Sequence, residues 1–81
     1  MEELLRQIVS KLVDNPDQIQ IDSVPGEHAT ILQLKVAQGD TGKVIGKQGR
    51  TADALRTILK SVGGKLNKTI VLEIRDSFEQ D

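Results

Sequence analysis

The fold class predicted for this chain of 81 residues is α+β: a two-layer sandwich with a three-stranded mixed sheet and helices on one face. Three observations predict it. Apolar residues recur at helical spacing in two places, residues 4–13 and 52–62. They alternate with polar residues in three others, near 19–21, 29–37 and 69–75. A glycine-rich stretch and the second helix separate the last two alternations, so the strands they form are parallel if adjacent, with the right-handed crossover sense. So short a chain has too few helices to bury both faces of a sheet, and the other face is expected to stay open to solvent.

The elements follow in order. Leu4, Leu5, Ile8, Val9, Leu12 and Val13 form the first apolar stripe, with Glu2 and Glu3 where the helix dipole favours negative charge. The run Asp14-Asn15-Pro16-Asp17 is expected to end that helix, because proline cannot continue it. Ile19 and Ile21 begin a short strand, and Pro25 to His28 make a turn. Thr30, Leu32, Leu34 and Val36 then share one face of a longer strand, opposite Ile31, Gln33 and Lys35. A short helix and the Gly46-Lys47-Gln48-Gly49 turn lead into the second long helix, whose stripe is Ala52, Leu55, Ile58, Leu59 and Val62. Gly63 and Gly64 are expected to stop it. Ile70, Leu72 and Ile74 face inward from the last strand, and the tail from Asp76 to Asp81 is polar and expected to fray.

Composition narrows the chemistry. With Phe78 the one aromatic residue, the core must be aliphatic. There is no cysteine for a disulfide, a thiolate metal site or a nucleophile, and a single histidine, His28, sits in a turn. No apolar run is long enough for a signal peptide or a membrane span, so a soluble cytoplasmic protein without cofactor is expected. No Ser/His/Asp set or metal-ligand spacing suggests an enzyme. The net charge of −1 is unevenly spread. Residues 1–34 carry two cations against six carboxylates, residues 35–68 eight against two, and residues 69–81 one against four. A basic middle between acidic ends gives a local field that the total conceals.

That basic middle surrounds Gly39–Thr51, which holds four glycines, two lysines and an arginine. Glycine beside lysine suggests backbone brought close to phosphate. A Walker A loop needs four residues between its first glycine and Gly-Lys-Ser/Thr, but Gly42 to Gly46 leaves three and Gln48 follows Lys47. The dinucleotide fingerprint fails on spacing as well. What remains is a Gly-x-x-Gly turn between two helices. Glycine at both ends lets another backbone approach, and the helix starting near Arg50 aims its free amides at the turn. Lys43, Lys47 and Arg50 bracket the same place, while Val44, Ile45, Ala52 and Leu55 are expected to floor a shallow apolar groove beside it. Phosphate on a glycine turn beside bases on an aliphatic floor is how a KH module holds a short single strand.

The stretch Val44–Leu59, VIGKQGRTADALRTIL, resembles the heart of a KH domain, V-I-G-x-x-G-x-x-aliphatic-x-x-aliphatic. A helix and strand placed before it, with nothing substantial after the final strand, resemble the bacterial type II KH order α-β-β-α-α-β. The resemblance covers nearly the whole chain: one KH domain over 1–81, with its core at about 29–75 and the added helix and strand at about 1–24. It implies that Gly46, Lys47, Gln48 and Gly49 form the clamp, that Val44 and Ile45 are the apolar pair before it, and that Leu55 is a groove-side aliphatic. It also implies single-stranded RNA as ligand and a role as a small RNA chaperone or post-transcriptional regulator. Homodimers, or pairing with a larger KH-containing RNA-binding protein, are implied too. Ala52 departs from the isoleucine or valine common at its position and makes the floor shallower. Without aromatic rings for stacking, binding is expected to be weak and modest in sequence preference.

Other readings of the same residues stay open. The turn is also compatible with a structural helix–helix connection, with a helix-turn-helix that reads duplex DNA, and with a protein-interaction adaptor that binds RNA weakly. Ile58, Val62 and Leu66 are either core or a surface for self-association.

Overall fold

The structure is a computed structural model and describes residues 1–77. The helices are α1 (Glu2–Ser10), α2 (Thr41–Ile45) and α3 (Arg50–Lys65). The strands are β1 (Gln20–Pro25), β2 (Ala29–Val36) and β3 (Thr69–Asp76). Short 3-10 turns occupy Pro16–Gln18, Gln38–Asp40 and Lys47–Gly49. Of the tail expected to fray, residues 78–81 lie outside the described residues.

The sheet order is β1-β2-β3, with β1 antiparallel to β2 and β2 parallel to β3. This is the mixed α+β sandwich that the crossover predicts. Register aligns Ile21 with Leu34 and Ile74 across the sheet, and Leu32 with Leu72. These side chains meet Leu5 and Val9 of α1, Val44 of α2, and Leu55 and Leu59 of α3 in one aliphatic core. Each fully buried Leu or Val is worth roughly 1.5–3 kcal/mol over its exposed state, which is how so small a chain holds together without aromatic rings. The opposite face carries Val24, Ile31 and Val71 in one row, then Asp22, Gln33 and Glu73 in the next. There the Gln33 amide donates to Glu73 at 3.3 Å.

Two helix ends differ from expectation. α1 stops at Ser10, not at Asp14-Asn15-Pro16-Asp17. The Leu12 and Val13 amides both donate to the Val9 carbonyl, at 2.9 and 3.2 Å, so the chain turns off the helix early. Val13 is still buried. The apolar spacing continued because the turn, too, faces the core.

α3 passes through Gly63 and Gly64 and ends at Lys65. The reversal is made by Asn67, at φ 58°. Lys68 N–H donates to the Gly63 carbonyl at 2.9 Å and Asn67 N–H to that of Gly64 at 3.2 Å, the paired bonds of a Schellman end. Gly63 serves packing instead. A Cβ there would sit 2.6 Å from the Lys68 carbonyl oxygen and 2.7 Å from Ile70 Cγ1.

Candidate functional site

The glycine turn is fixed by backbone conformations that other residues resist. Gly46 has φ 77° and ψ 176°, and Gly49 has φ 74° and ψ 13°. At Gly46 a Cβ would also collide with the Thr51 side chain, coming within 2.7 Å of its Cβ. Nothing crowds Gly49, whose requirement is conformational alone. Between them Gln48 takes the left-handed region at φ 56°, and the Gly49 amide closes the turn on the Gly46 carbonyl at 3.2 Å. Lys47 and Gln48 therefore project into solvent. Arg50 folds back to donate to the Gln48 side chain at 3.2 Å. α3 starts with Gly49 at its N-cap and no side chain capping it; its first amide, on Arg50, donates to the Lys47 carbonyl, and the next ones point toward the turn without a side-chain cap.

One turn upstream lies a buried carboxylate. Asp40, 1% exposed, stands at the N-cap of α2 but does not cap it. It turns inward to accept the backbone amides of Asp14 (3.2 Å) and Asn15 (3.0 Å) and the Asn15 side-chain amide (3.2 Å). Burial pushes the Asp40 pKa up, but these hydrogen bonds and Lys43 outweigh it and hold the group below its ordinary value. Lys43 lies 3.2 Å from Asp14 and 3.7 Å from Asp40. Its pKa is raised, first by the hydrogen bond and charge of Asp14 and then by Asp40, so it remains a cation. On its other side, α2 is tied to the end of β3 by the Thr41 hydroxyl, which donates to Asp76.

The residues anticipated for the site divide into two groups. Lys43, Gly46, Lys47, Gln48, Gly49 and Arg50 come together around the turn, and Lys43, Lys47, Gln48 and Arg50 are exposed. Of the expected apolar floor, Ile45 is 38% exposed, but Val44, Ala52 and Leu55 are 0, 2 and 3% exposed and belong to the interior. A five-residue helix is too short for periodicity to say which of two neighbouring aliphatics turns inward. Thr51, Asp14 and Asp40 were not anticipated. Nothing in their residue types announces a glycine-facing threonine or a buried aspartate bridging residues 26 apart. Among the described residues no group of three His, Cys, Asp or Glu side chains is placed to hold a metal ion, and no helix is long and apolar enough to cross a membrane.

A three-stranded mixed sheet in the order α-β-β-α-α-β, with a Gly-x-x-Gly turn between its second and third helices, has the architecture of a type II KH domain. Comparison with known proteins is more particular. A family described as "KhpA/KhpB, KH domain" matches residues 2–74. The chain is 54% identical over 74 residues to the RNA-binding protein KhpA of Clostridium acetobutylicum, covering 91% of this chain and 99% of that protein. It is 50% identical to KhpA of Clostridium perfringens over the same shares, and 46% identical to KhpA of Borreliella burgdorferi over 91% of this chain and 90% of that protein. No solved structure matched. The chain belongs to the KhpA/KhpB family of KH domains, which sets aside the helix-turn-helix reading.

Proposed function

We propose that this protein binds single-stranded RNA, clamping the sugar-phosphate backbone at Gly46–Gly49. One observation carries the reading. Two glycines in left-handed conformations expose Lys47 and Gln48 at the uncapped N-terminus of α3. A phosphate there meets amide donors, helix dipole and cationic side chains at once, while the missing Cβ of Gly49, with nothing within 4 Å of its place, leaves room for the sugar. Ile45 supplies the exposed aliphatic surface for an adjoining base, with Val44, Ala52 and Leu55 supporting it from beneath. The relatives named RNA-binding protein KhpA support RNA as the ligand.

Titration of an unstructured RNA across a salt series tests this. Affinity falls with a log–log slope of about −0.7 per phosphate contact, and single-stranded RNA competes better than duplex DNA. A salt-independent titration, or better competition by the duplex, contradicts the reading.

A second reading concerns assembly. Ile58 and Leu66 are exposed on the flank of α3, with Val62 half-buried between them. We propose that this flank pairs with a second copy or with a larger KH-containing relative, adding avidity to a site that spans about four nucleotides. One KH domain over 1–81 acting in the cytoplasm, as an RNA chaperone or post-transcriptional regulator, completes the proposal.

A further inference from the structure

A cavity of about 280 Å³ opens at the end of the sheet where β1 turns into β2. α3 is 16 residues long and leads away from the glycine turn, so roughly 24 Å of helix separates this cavity from the clamp. The phosphate site does not use it. Its floor is the buried Leu32 and the half-buried Ile70, on the helix-covered face of the sheet. Leu66, just past the end of α3, and Pro25, at the end of β1, add apolar walls.

Four polar side chains converge on the same space: Glu2 from the first turn of α1, Ser23 from β1, Thr30 from β2 and Lys68 from the link into β3. None of them makes a side-chain hydrogen bond or ion pair among the described residues. A lone exposed glutamate or lysine is ordinary solvated surface. Here the two line one recess with an apolar floor, carry opposite charges and do not pair with each other. The gap between them suits a ligand that bears both complements.

We propose that this cavity binds a small zwitterion with an apolar side chain, an apolar α-amino acid. Its ammonium faces Glu2, its carboxylate faces Lys68 with the Ser23 and Thr30 hydroxyls as further donors, and its side chain lies on Leu32 and Ile70. Size sets the class: drug-sized ligands occupy roughly 300–1,000 Å³, and this cavity falls just short of that range. Charge sets the rest. A monoanion would meet Lys68 but also Glu2, and a monocation the reverse, whereas a zwitterion satisfies both. Because the two charged side chains are exposed, the affinity is on the order of millimolar. The site is independent of the RNA clamp.

The test is an amide NMR titration of the isotope-labelled full chain with leucine, methionine or phenylalanine. It is repeated on Ile58→Gln, so that pairing through the α3 flank cannot cover the cavity. Saturable shifts are expected at the amides of Ser23, Leu66, Lys68 and Ile70, with residues 46–49 unmoved. Glycine, a zwitterion without a side chain, should give none. Leucinamide lacks the carboxylate and N-acetylleucine the ammonium, and each should bind roughly fivefold more weakly than leucine. Lys68→Gln should make leucine and leucinamide equal, and Glu2→Gln should do the same for leucine and N-acetylleucine. Both substitutions lie on the surface and should leave the melting temperature unchanged. No saturable shift from any of the three amino acids in either protein overturns the proposal. So does equal binding of leucine and its two blocked forms, or a preference that survives both charge substitutions.

Discussion

Lys43 Nζ lies 3.2 Å from the carboxylate of Asp14, a residue on the loop after α1 that is 29 positions away. The cation nearest the glycine turn on its upstream side is thus already paired. A phosphate that uses Lys43 must compete with Asp14, while the buried Asp40 keeps the lysine in place.

Asp14→Asn should therefore strengthen RNA binding a few fold and steepen the log–log salt slope by about 0.7, the increment for one further phosphate contact. Both gains should vanish in a Lys43→Ala background. A gain that survives there would come from net charge alone and would remove Lys43 from the interface.

Asp40 links this region to pH. Its folded pKa is depressed below the ordinary 3.8, so its contribution to stability is full above that value. It is lost as pH falls through the lower folded value. Asp40→Asn should lower the melting temperature at pH 7 and flatten the decline in stability between about pH 5 and pH 2. Parallel thermal melts across that range check it. Identical pH profiles for wild type and variant would mean that the carboxylate is not held in its charged form.

The two glycines inside α3 should respond in opposite directions to alanine. Gly64 is exposed, and a methyl group added there would meet nothing within 4 Å, so Gly64→Ala should stabilise by about 0.5–1 kcal/mol. Gly63→Ala forces a Cβ against the Lys68 carbonyl and Ile70 and should destabilise. Urea unfolding of both variants gives the signs; stabilisation by both would refute the close approach of α3 to β3.

Assembly through the α3 flank predicts that the wild type sediments as a dimer at micromolar concentration. Ile58→Gln, at an exposed position, should shift it to monomer without changing the melting temperature. Wild-type monomer throughout would withdraw the homodimer.

The sheet was legible because period-2 alternation is a direct record of which face is covered. Leu32, Leu34 and Val36 all fall on the expected side. Helix ends were less so. Leu12 and Val13 kept helical spacing beyond the helix, and Gly63 and Gly64 looked like a stop although Asn67 makes it. A glycine needed for close packing and a glycine needed for a left-handed turn are the same letter. The Gly-x-x-Gly turn could be read because both its glycines are conformational. Its surroundings could not, because the Asp40–Asn15 and Lys43–Asp14 contacts join segments far apart in the chain and follow no local period.

Whether residues 46–49 clamp an RNA backbone is decided by replacing Lys47 and Gln48 together, as Lys47→Asp with Gln48→Asp. Both side chains are exposed, and aspartate tolerates the left-handed conformation of position 48 better than most residues. The double variant should keep the wild-type circular dichroism spectrum and a stability within about 0.5 kcal/mol. Two carboxylates would then face the site where the phosphate must approach. The still-folded double variant should lose nearly all RNA binding. A folded double variant that binds RNA as tightly as wild type would contradict it.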